Sequence, residues 1–330
     1  MSVQVQKWIS IAVIIALFWG ILLTLQDGGL TYWLHFWWMA FVAFAIAIVV
    51  NTIGISGAAL FVPFFILVFP LLSEPLTSLQ SVQVGLVTES FGLLSSAVAF
   101  ILYRLVDVPI AVRTIATAIP SLVVGAFVTS LIPESVLLIM IAGLLLISVI
   151  FLLAGEYVMK RRHQEQQGVA VDLRYPKGTQ VTRTDKDGKT YHYCRTMGGY
   201  LKRLTGYSVG AFFQGAVGFG IGELGIISMM LSRIPLRVAI GTSHLIVAVT
   251  AVLASAIHLG LFLIGHGVES EASGSFPWNL VFMTVPAVIL GGQVSPYVAS
   301  KLPTKALEYV IAIIFLMIAA ALVVLAAQSL

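Results

Sequence analysis

Few residues in this chain can do chemistry, and most of them fall in two polar, glycine-rich breaks within otherwise apolar sequence. The first reads Asn51-Thr52-Ile53-Gly54-Ile55-Ser56-Gly57-Ala58, the second Gln214-Gly215-Ala216-Val217-Gly218-Phe219-Gly220-Ile221-Gly222-Glu223. Glycine permits a turn and bares the backbone there. If each break divides two helical arms, the arms starting near Ala58 and Gly222 aim unpaired N–H groups and positive dipole ends at one another. That is a two-sided cradle for an anion. Asn51, Thr52, Ser56 and Gln214 add neutral donors, which suit an oxyanion that must bind and then leave, whereas a buried arginine clamp holds too tightly. Gly54, Gly57, Gly218 and Gly220 supply backbone, and Thr242 and Ser243 add hydroxyls from a later apolar run. The same glycines also suit plain helix packing, as small-xxx-small pairs do.

Three ionisable residues fall in apolar surroundings. Glu89 stands midway along an uncharged run, where a charge costs about 2.5 to 3.5 kcal/mol on insertion scales, so it is expected to be protonated, paired or facing water. His244 follows Gly241-Thr242-Ser243 in the matching run of the second half, and a Glu89–His244 pair is the expected partnership. Glu223 opens its arm, where a carboxylate also complements the helix dipole. All three are candidates for proton coupling, and each also suits a structural hydrogen bond. His258 reads as a packed interior histidine. A different chemistry is open as well: Gly54-Ile55-Ser56-Gly57 matches the G-x-S-G pattern of rhomboid intramembrane serine proteases, with His258 as base. Such four-residue patterns are common in apolar chains, and Ser56 has Gly220 as its counterpart in the second half.

The elements that must hold these residues follow from composition. Of 330 residues, 59% are hydrophobic and 10% charged, with a mean hydropathy of +1.03. Soluble domains run near a quarter charged. Here uncharged runs of about 20 residues recur, each enough to cross a bilayer. The chain is an all-α integral membrane protein on this reading, which excludes an ordinary soluble enzyme. Apolar stretches cover 8–26, 33–72, 79–103, 109–131, 134–157, 205–232, 237–265, 277–300 and 305–328. The first ends in Gln26-Asp27-Gly28-Gly29 without a small-residue cleavage site and is expected to be a retained span.

The net charge of +4 is local. Residues 158–204 hold 11 Lys and Arg against 4 Asp and Glu, leaving 7 positive and 10 negative residues elsewhere. A basic loop of this kind stays cytoplasmic, and the parity of the spans places the N-terminus with it. Arg104, Arg113, Arg233 and Arg237 then mark cytoplasmic ends, provided 205–232 enters and leaves on one face. That stretch is short: its 28 residues give about 21 Å of helix per arm against a hydrocarbon core of about 30 Å. A re-entrant broken-helix hairpin is expected there and at 33–72.

Overlaying the halves aligns Gly54 with Gly218, Ser56 with Gly220, Gly85 with Gly241, Pro120 with Pro286 and Gly125 with Gly291. Charge parity gives the halves opposite orientation. Two inverted-topology repeats, each a hairpin followed by three transmembrane helices, plus an extra N-terminal helix, form the pattern of a secondary transporter. The units are 1–157, the loop 158–204 and 205–330. Within the loop, Thr179–Arg195 alternates about an Asp185-Lys186-Asp187-Gly188 turn and predicts a β-hairpin. Cys194 is the one cysteine, so thiols supply no disulfide and no metal or haem framework. No metal or cofactor and no nucleic-acid partner is expected.

Gly54-Ile55-Ser56-Gly57-Ala58-Ala59-Leu60-Phe61-Val62-Pro63 followed by Gly85-Leu86-Val87-Thr88, and Gly218 to Glu223 followed by Ala239-Ile240-Gly241-Thr242-Ser243, resemble the TauE/SafE family of sulfite and organosulfonate exporters. The resemblance covers about residues 36–326. It implies a bacterial inner-membrane permease, without enzymatic activity, that moves small sulfur oxyanions such as sulfite or sulfoacetate outward. The site is expected between Asn51–Ala58 and Gln214–Glu223, worked by alternating access, with membrane lipid and protons as further partners. A cell negative inside by 100 mV supplies about 2.3 kcal/mol per anionic charge expelled, so a uniporter suffices thermodynamically. An anion channel is the alternative within transport, the serine protease outside it.

Overall fold

The computed structural model describes residues 3–53, 55–129, 131–168, 178–263, 276–301 and 304–328. In chain order the helices are α1 (Val3–Leu25), α2 (Leu30–Leu34), α3 (Met39–Ile53), α4 (Ala58–Pro63), α5 (Ser78–Leu102), α6 (Val108–Thr129) and α7 (Glu134–Gly168). A hairpin of β1 (Gly178–Thr184) and β2 (Thr190–Thr196) follows, then α8 (Met197–Val217), α9 (Ile221–Leu231), α10 (Leu236–Leu263), α11 (Trp278–Lys301) and α12 (Thr304–Gln328).

Seven helical segments among the described residues are long and apolar enough to cross a bilayer, the first being Leu30–Ile53 and the last Ala306–Gln328. Their outward faces are apolar too. Val124 and Phe127 on α6, Leu146 and Ile150 on α7, and Met317 and Val324 on α12 are all exposed. In water such a rim would aggregate; in lipid it is matched to its solvent, and the helices close their backbone hydrogen bonds internally. The protein is a multi-pass, all-α membrane protein.

The helices pack in pairs: α3 on α11, α8 on α6, α5 on α10 and α7 on α12. Small residues set the distances. A Cβ at Gly125 of α6 would strike the Phe212 carbonyl of α8, and one at Gly215 of α8 would strike the Leu122 carbonyl of α6. Gly291 does the same for α11, where a Cβ would lie 2.7 Å from that of Ala47 on α3. Backbones this close gain dispersion contacts that larger side chains would prop apart.

The arms flanking each break are unequal. Residues 197–217 and 221–231 make helices of 21 and 11 residues, about 31 and 16 Å long at 1.5 Å per residue, where two arms of about 21 Å were expected. The reason is a cap: Thr196 accepts the Gly199 N–H at 3.0 Å and starts α8 ahead of residue 205. In the first break, α4 is followed by a π turn (Phe64–Val68) and a 3-10 turn (Phe69–Leu71). Pro63 and Pro70 lack the N–H groups that a regular ladder needs. Helix α7 likewise runs past residue 157 to Gly168, since Lys160 to Gln167 are mostly good helix formers and glycine ends the run.

The β-hairpin pairs Gly178 with Thr196 and Thr184 with Thr190. It is docked onto the α5–α6 connection through Asp107. This carboxylate is fully buried; it accepts from Arg195 Nη2 at 2.7 Å and Nε at 3.0 Å, and from the Tyr193 hydroxyl at 2.5 Å. It also caps α6 by accepting the Ile110 N–H, while its own N–H donates to Thr242 Oγ1 on α10 at 2.9 Å. Burial and the bond to Asp107 push the Tyr193 hydroxyl up to about 12, so it remains a donor at physiological pH. At the turn, burial pushes the Asp185 carboxyl up. The Lys189 and Asp187 N–H groups and the Tyr191 hydroxyl outweigh this and hold it below the ordinary value. The stability it lends is therefore present above the unfolded value, about pH 4, and is lost as pH falls through the lower folded one.

Asp107→Ala, which leaves Arg195 facing an empty acceptor, is expected to lower stability by about 3 kcal/mol or more. It should also speed trypsin cleavage at Lys186 and Lys189 in detergent. An unchanged melting temperature and cleavage rate would show that the hairpin is held some other way.

Candidate functional site

Both breaks are built around glycine. Gly218 and Gly220 sit at φ +96° and +117°, a region that L side chains rarely adopt, and they let the chain reverse between α8 and α9. In the first break Ser56 and Gly57 lie between α3 and α4; Gly54 lies outside the described residues.

The donors of the first break are taken. Ser56 N–H donates to Glu223 Oε1 at 3.1 Å, Ser56 Oγ donates to Glu89 Oε1 at 2.5 Å, and Gly57 N–H donates to the same Oε1 at 2.9 Å. Glu89 comes from α5 and Glu223 from the first turn of α9, each 2% exposed. The cradle expected to stand open is thus filled by two of the protein's own carboxylates. Backbone N–H groups stranded in an apolar interior cost free energy until an acceptor reaches them, and these are the acceptors within reach.

The expected Glu89–His244 pair does not form. Glu89 turns to Ser56 and Gly57, while His244 Nδ1 lies 2.9 Å from the Ile240 carbonyl one turn back in α10, with its ring against Phe100. With Nδ1 donating to that carbonyl, Nε2 carries the lone pair and can take a proton. The protease pairing fails as well. Ser56 Oγ is engaged by Glu89, and His258 Nε2 lies 2.7 Å from the Gly215 carbonyl, so His258 is not the base of this serine.

Two small cavities flank the Ser56–Gly57 turn. One is lined by Ile55, Ser56, Leu93, Gly222, Ser243 and His244, among others. The other is lined by Asn51, Gly57, Glu89, Gly92, Leu93 and their neighbours. Buried polar atoms around them have no partner among the described residues: His244 Nε2 at the first, Asn51 Oδ1 and Glu89 Oε2 at the second, and Glu223 Oε2 beside Ser56. Unsatisfied groups are few in folded proteins, and here several lie close together.

Residues 39–322 match the family described as sulfite exporter TauE/SafE. The chain belongs to the TauE/SafE family. Over 280 residues it is 25% identical to a probable membrane transporter protein, YunE, of Bacillus subtilis (strain 168), a match that takes in 83% of this chain and 92% of that protein. No solved structure matches it. As a TauE/SafE protein it is a membrane transporter.

In this TauE/SafE chain, Asn51, Ser56, Gly57, Gly222, Ser243, Glu89 and His244 gather at the two cavities, and Glu223 joins them through Ser56. Ala58 is buried at the start of α4. Thr52, Thr242 and Gln214 lie apart. The Thr52 hydroxyl donates to the Ser295 carbonyl at 3.4 Å, Thr242 accepts from Asp107, and Gln214 is fully buried with neither end of its amide bonded. Leu93 and Gly92 were missed from sequence, although one turn beyond Glu89 they share its helical face. Thr88, fully buried, lies 2.8 Å from Thr284 Oγ1 on α11.

Glu223→Gln keeps an acceptor for the Ser56 N–H and should melt within about 1 kcal/mol of wild type, whereas Glu223→Ala strands that N–H and should lose about 1–3 kcal/mol. Thermal unfolding in detergent checks this; equal losses would mean that the Ser56 bond carries no stability.

Proposed function

We propose that the protein exports a small sulfur-containing anion, of the sulfite or organosulfonate class, from the cytoplasm by alternating access. The observation that supports this best is the engagement of the Ser56 and Gly57 donors by Glu89 and Glu223. A carboxylate oxygen and a sulfite or sulfonate oxygen ask for the same N–H and O–H donors, so what the two glutamates accept now, a substrate oxyanion can accept in their place. Ser56, Gly222 and Ser243 line the cavity on one side of those donors, and Asn51 and Gly57 line the cavity on the other. Ala58, Gly218 and Gly220 form the breaks themselves.

Displacing the glutamates leaves two carboxylates in an apolar interior without donors, and each is then relieved by taking a proton at Oε1 or Oε2. His244 Nε2 accepts from an anion that carries a proton, or takes one up itself. Anion binding and proton binding are linked in this way, with Glu89, Glu223 and His244 as the coupling groups. When the anion leaves, the carboxylates return to Ser56 and Gly57 and the protons go.

The pairing of α3 with α11 and α8 with α6, with α5–α10 and α7–α12 mapping onto themselves when the halves exchange, supports reading 1–157 and 205–330 as inverted repeats. Hairpins 33–72 and 205–232 are re-entrant on this reading. The N-terminus and the loop 158–204 are cytoplasmic, and the membrane is a bacterial inner membrane. The Leu93 and Ser56–Gly57 wall between the cavities favours a carrier over a channel.

The test is thermal stabilisation of the detergent-solubilised protein by sulfite, sulfoacetate, taurine and sulfate, followed by flux in proteoliposomes. Stabilisation by sulfite or a sulfonate is expected, weakened about tenfold in Ser56→Ala by loss of one charge-assisted bond. No response to any of the four would sink the reading. Flux that keeps its full dependence on a pH gradient in the Glu89→Gln, Glu223→Gln, His244→Gln triple variant would dispose of the coupling alone.

A further inference from the structure

We infer that Arg203 and Tyr207 form a second anion station, on the side of the basic loop, through which the substrate passes between solution and the cavity at Ser243 and His244. The inference rests on the exporter reading above.

Arg203 stands nearly two turns inside α8 and is only 4% exposed. Its Nη1 is buried with no hydrogen-bond partner among the described residues. A buried guanidinium is costly unless its donors are used. The nearest carboxylate does not use them. Asp107 is in electrostatic range of Arg203, but its oxygens already accept from both nitrogens of the Arg195 fork, the Tyr193 hydroxyl and the Ile110 N–H. One carboxylate therefore faces two guanidiniums, and the surplus positive charge sits on the one without a partner. A small oxyanion supplies both the missing charge and the missing acceptors, and the planar guanidinium suits two oxygens of a sulfite or sulfonate at once. Asp107 beside it tempers the attraction, as a station that must release its anion requires.

The path continues inward. One turn along α8, Tyr207 is fully buried. Its ring is wedged against Gly225 of α9, where any Cβ would collide with it. The Tyr207 hydroxyl is within hydrogen-bonding reach of Ser243, which lines the first cavity beside the unpartnered Nε2 of His244. Arg203, Tyr207, Ser243 and His244 form a file of buried polar groups running from the basic loop to the cavity.

The full chain is reconstituted in phosphatidylcholine vesicles, and sulfite flux is measured with the anion supplied from the basic-loop side and, separately, from the other. Arg203→Ala should raise KM about tenfold or more from the basic-loop side, with a much smaller change in kcat. Arg203→Lys should be intermediate, and Tyr207→Phe should raise KM several-fold. From the opposite side KM should hold, and sulfite should still stabilise Arg203→Ala in detergent, because the central site is intact. Unchanged KM in Arg203→Ala and Tyr207→Phe overturns the proposal, and so does an equal rise from both sides. If Arg203→Ala does not fold, Tyr207→Phe decides. A KM effect seen only after phosphatidylglycerol is added makes a lipid phosphate the occupant and also overturns it. A wild type that moves none of these anions defeats the exporter reading itself, a result distinguishable from a working exporter indifferent to Arg203.

Discussion

A helix broken inside an apolar protein interior strands backbone N–H groups where water does not reach them, and at Ser56 and Gly57 carboxylates from two other helices satisfy them. Glu89 and Glu223 meet at one serine, so α4, α5 and α9 are tied at a single point by three hydrogen bonds. None of these elements can shift alone without leaving a buried donor or acceptor bare. That constraint fixes the centre of the molecule: the donors of the Ser56 turn are held by the protein's own acids.

The remainder of the fold serves to hold that point in place. Glycines at 125, 215 and 291 bring α6 against α8 and α11 against α3 at backbone distance, which makes the outer pairs stiff. The freed carbonyls of the α8 break are claimed as well, Gly215 by His258 and Ala216 by Thr129. On the face of the basic loop, Asp107 fastens the β-hairpin, the start of α6 and, through Thr242, the helix that carries Ser243 and His244. Among the described residues, most of the buried polar groups left unsatisfied are near the breaks and along the file from Arg203, the others being on Gln83, Arg183 and Ser255.

Much of this was readable from the chain alone, for local reasons. Spans follow from uncharged runs, the breaks from glycine, and the loop hairpin from alternation about Asp185 to Gly188. The chemistry of Ser56, Glu89 and Glu223 follows from polar residues placed where polarity is costly. What was not readable depends on partners distant in sequence. Nothing near Glu89 says that it reaches Ser56 and not His244, and nothing near Thr242 says that its hydroxyl faces a loop. Arm lengths escaped because a single cap, Thr196, outweighed the apolar pattern. Arg203 was hidden among eleven basic residues of a loop, although the helix already includes it; composition counts charges and cannot tell a buried one from a solvated one.

Leu93 and the Ser56–Gly57 turn belong to the walls of both cavities. What stands between the two spaces is one aliphatic side chain and a short turn of backbone. The girth of that side chain, more than its chemistry, keeps them separate. Position 93 is therefore expected to matter by size: a residue as broad as leucine divides the two spaces, and a smaller one merges them into a single larger void.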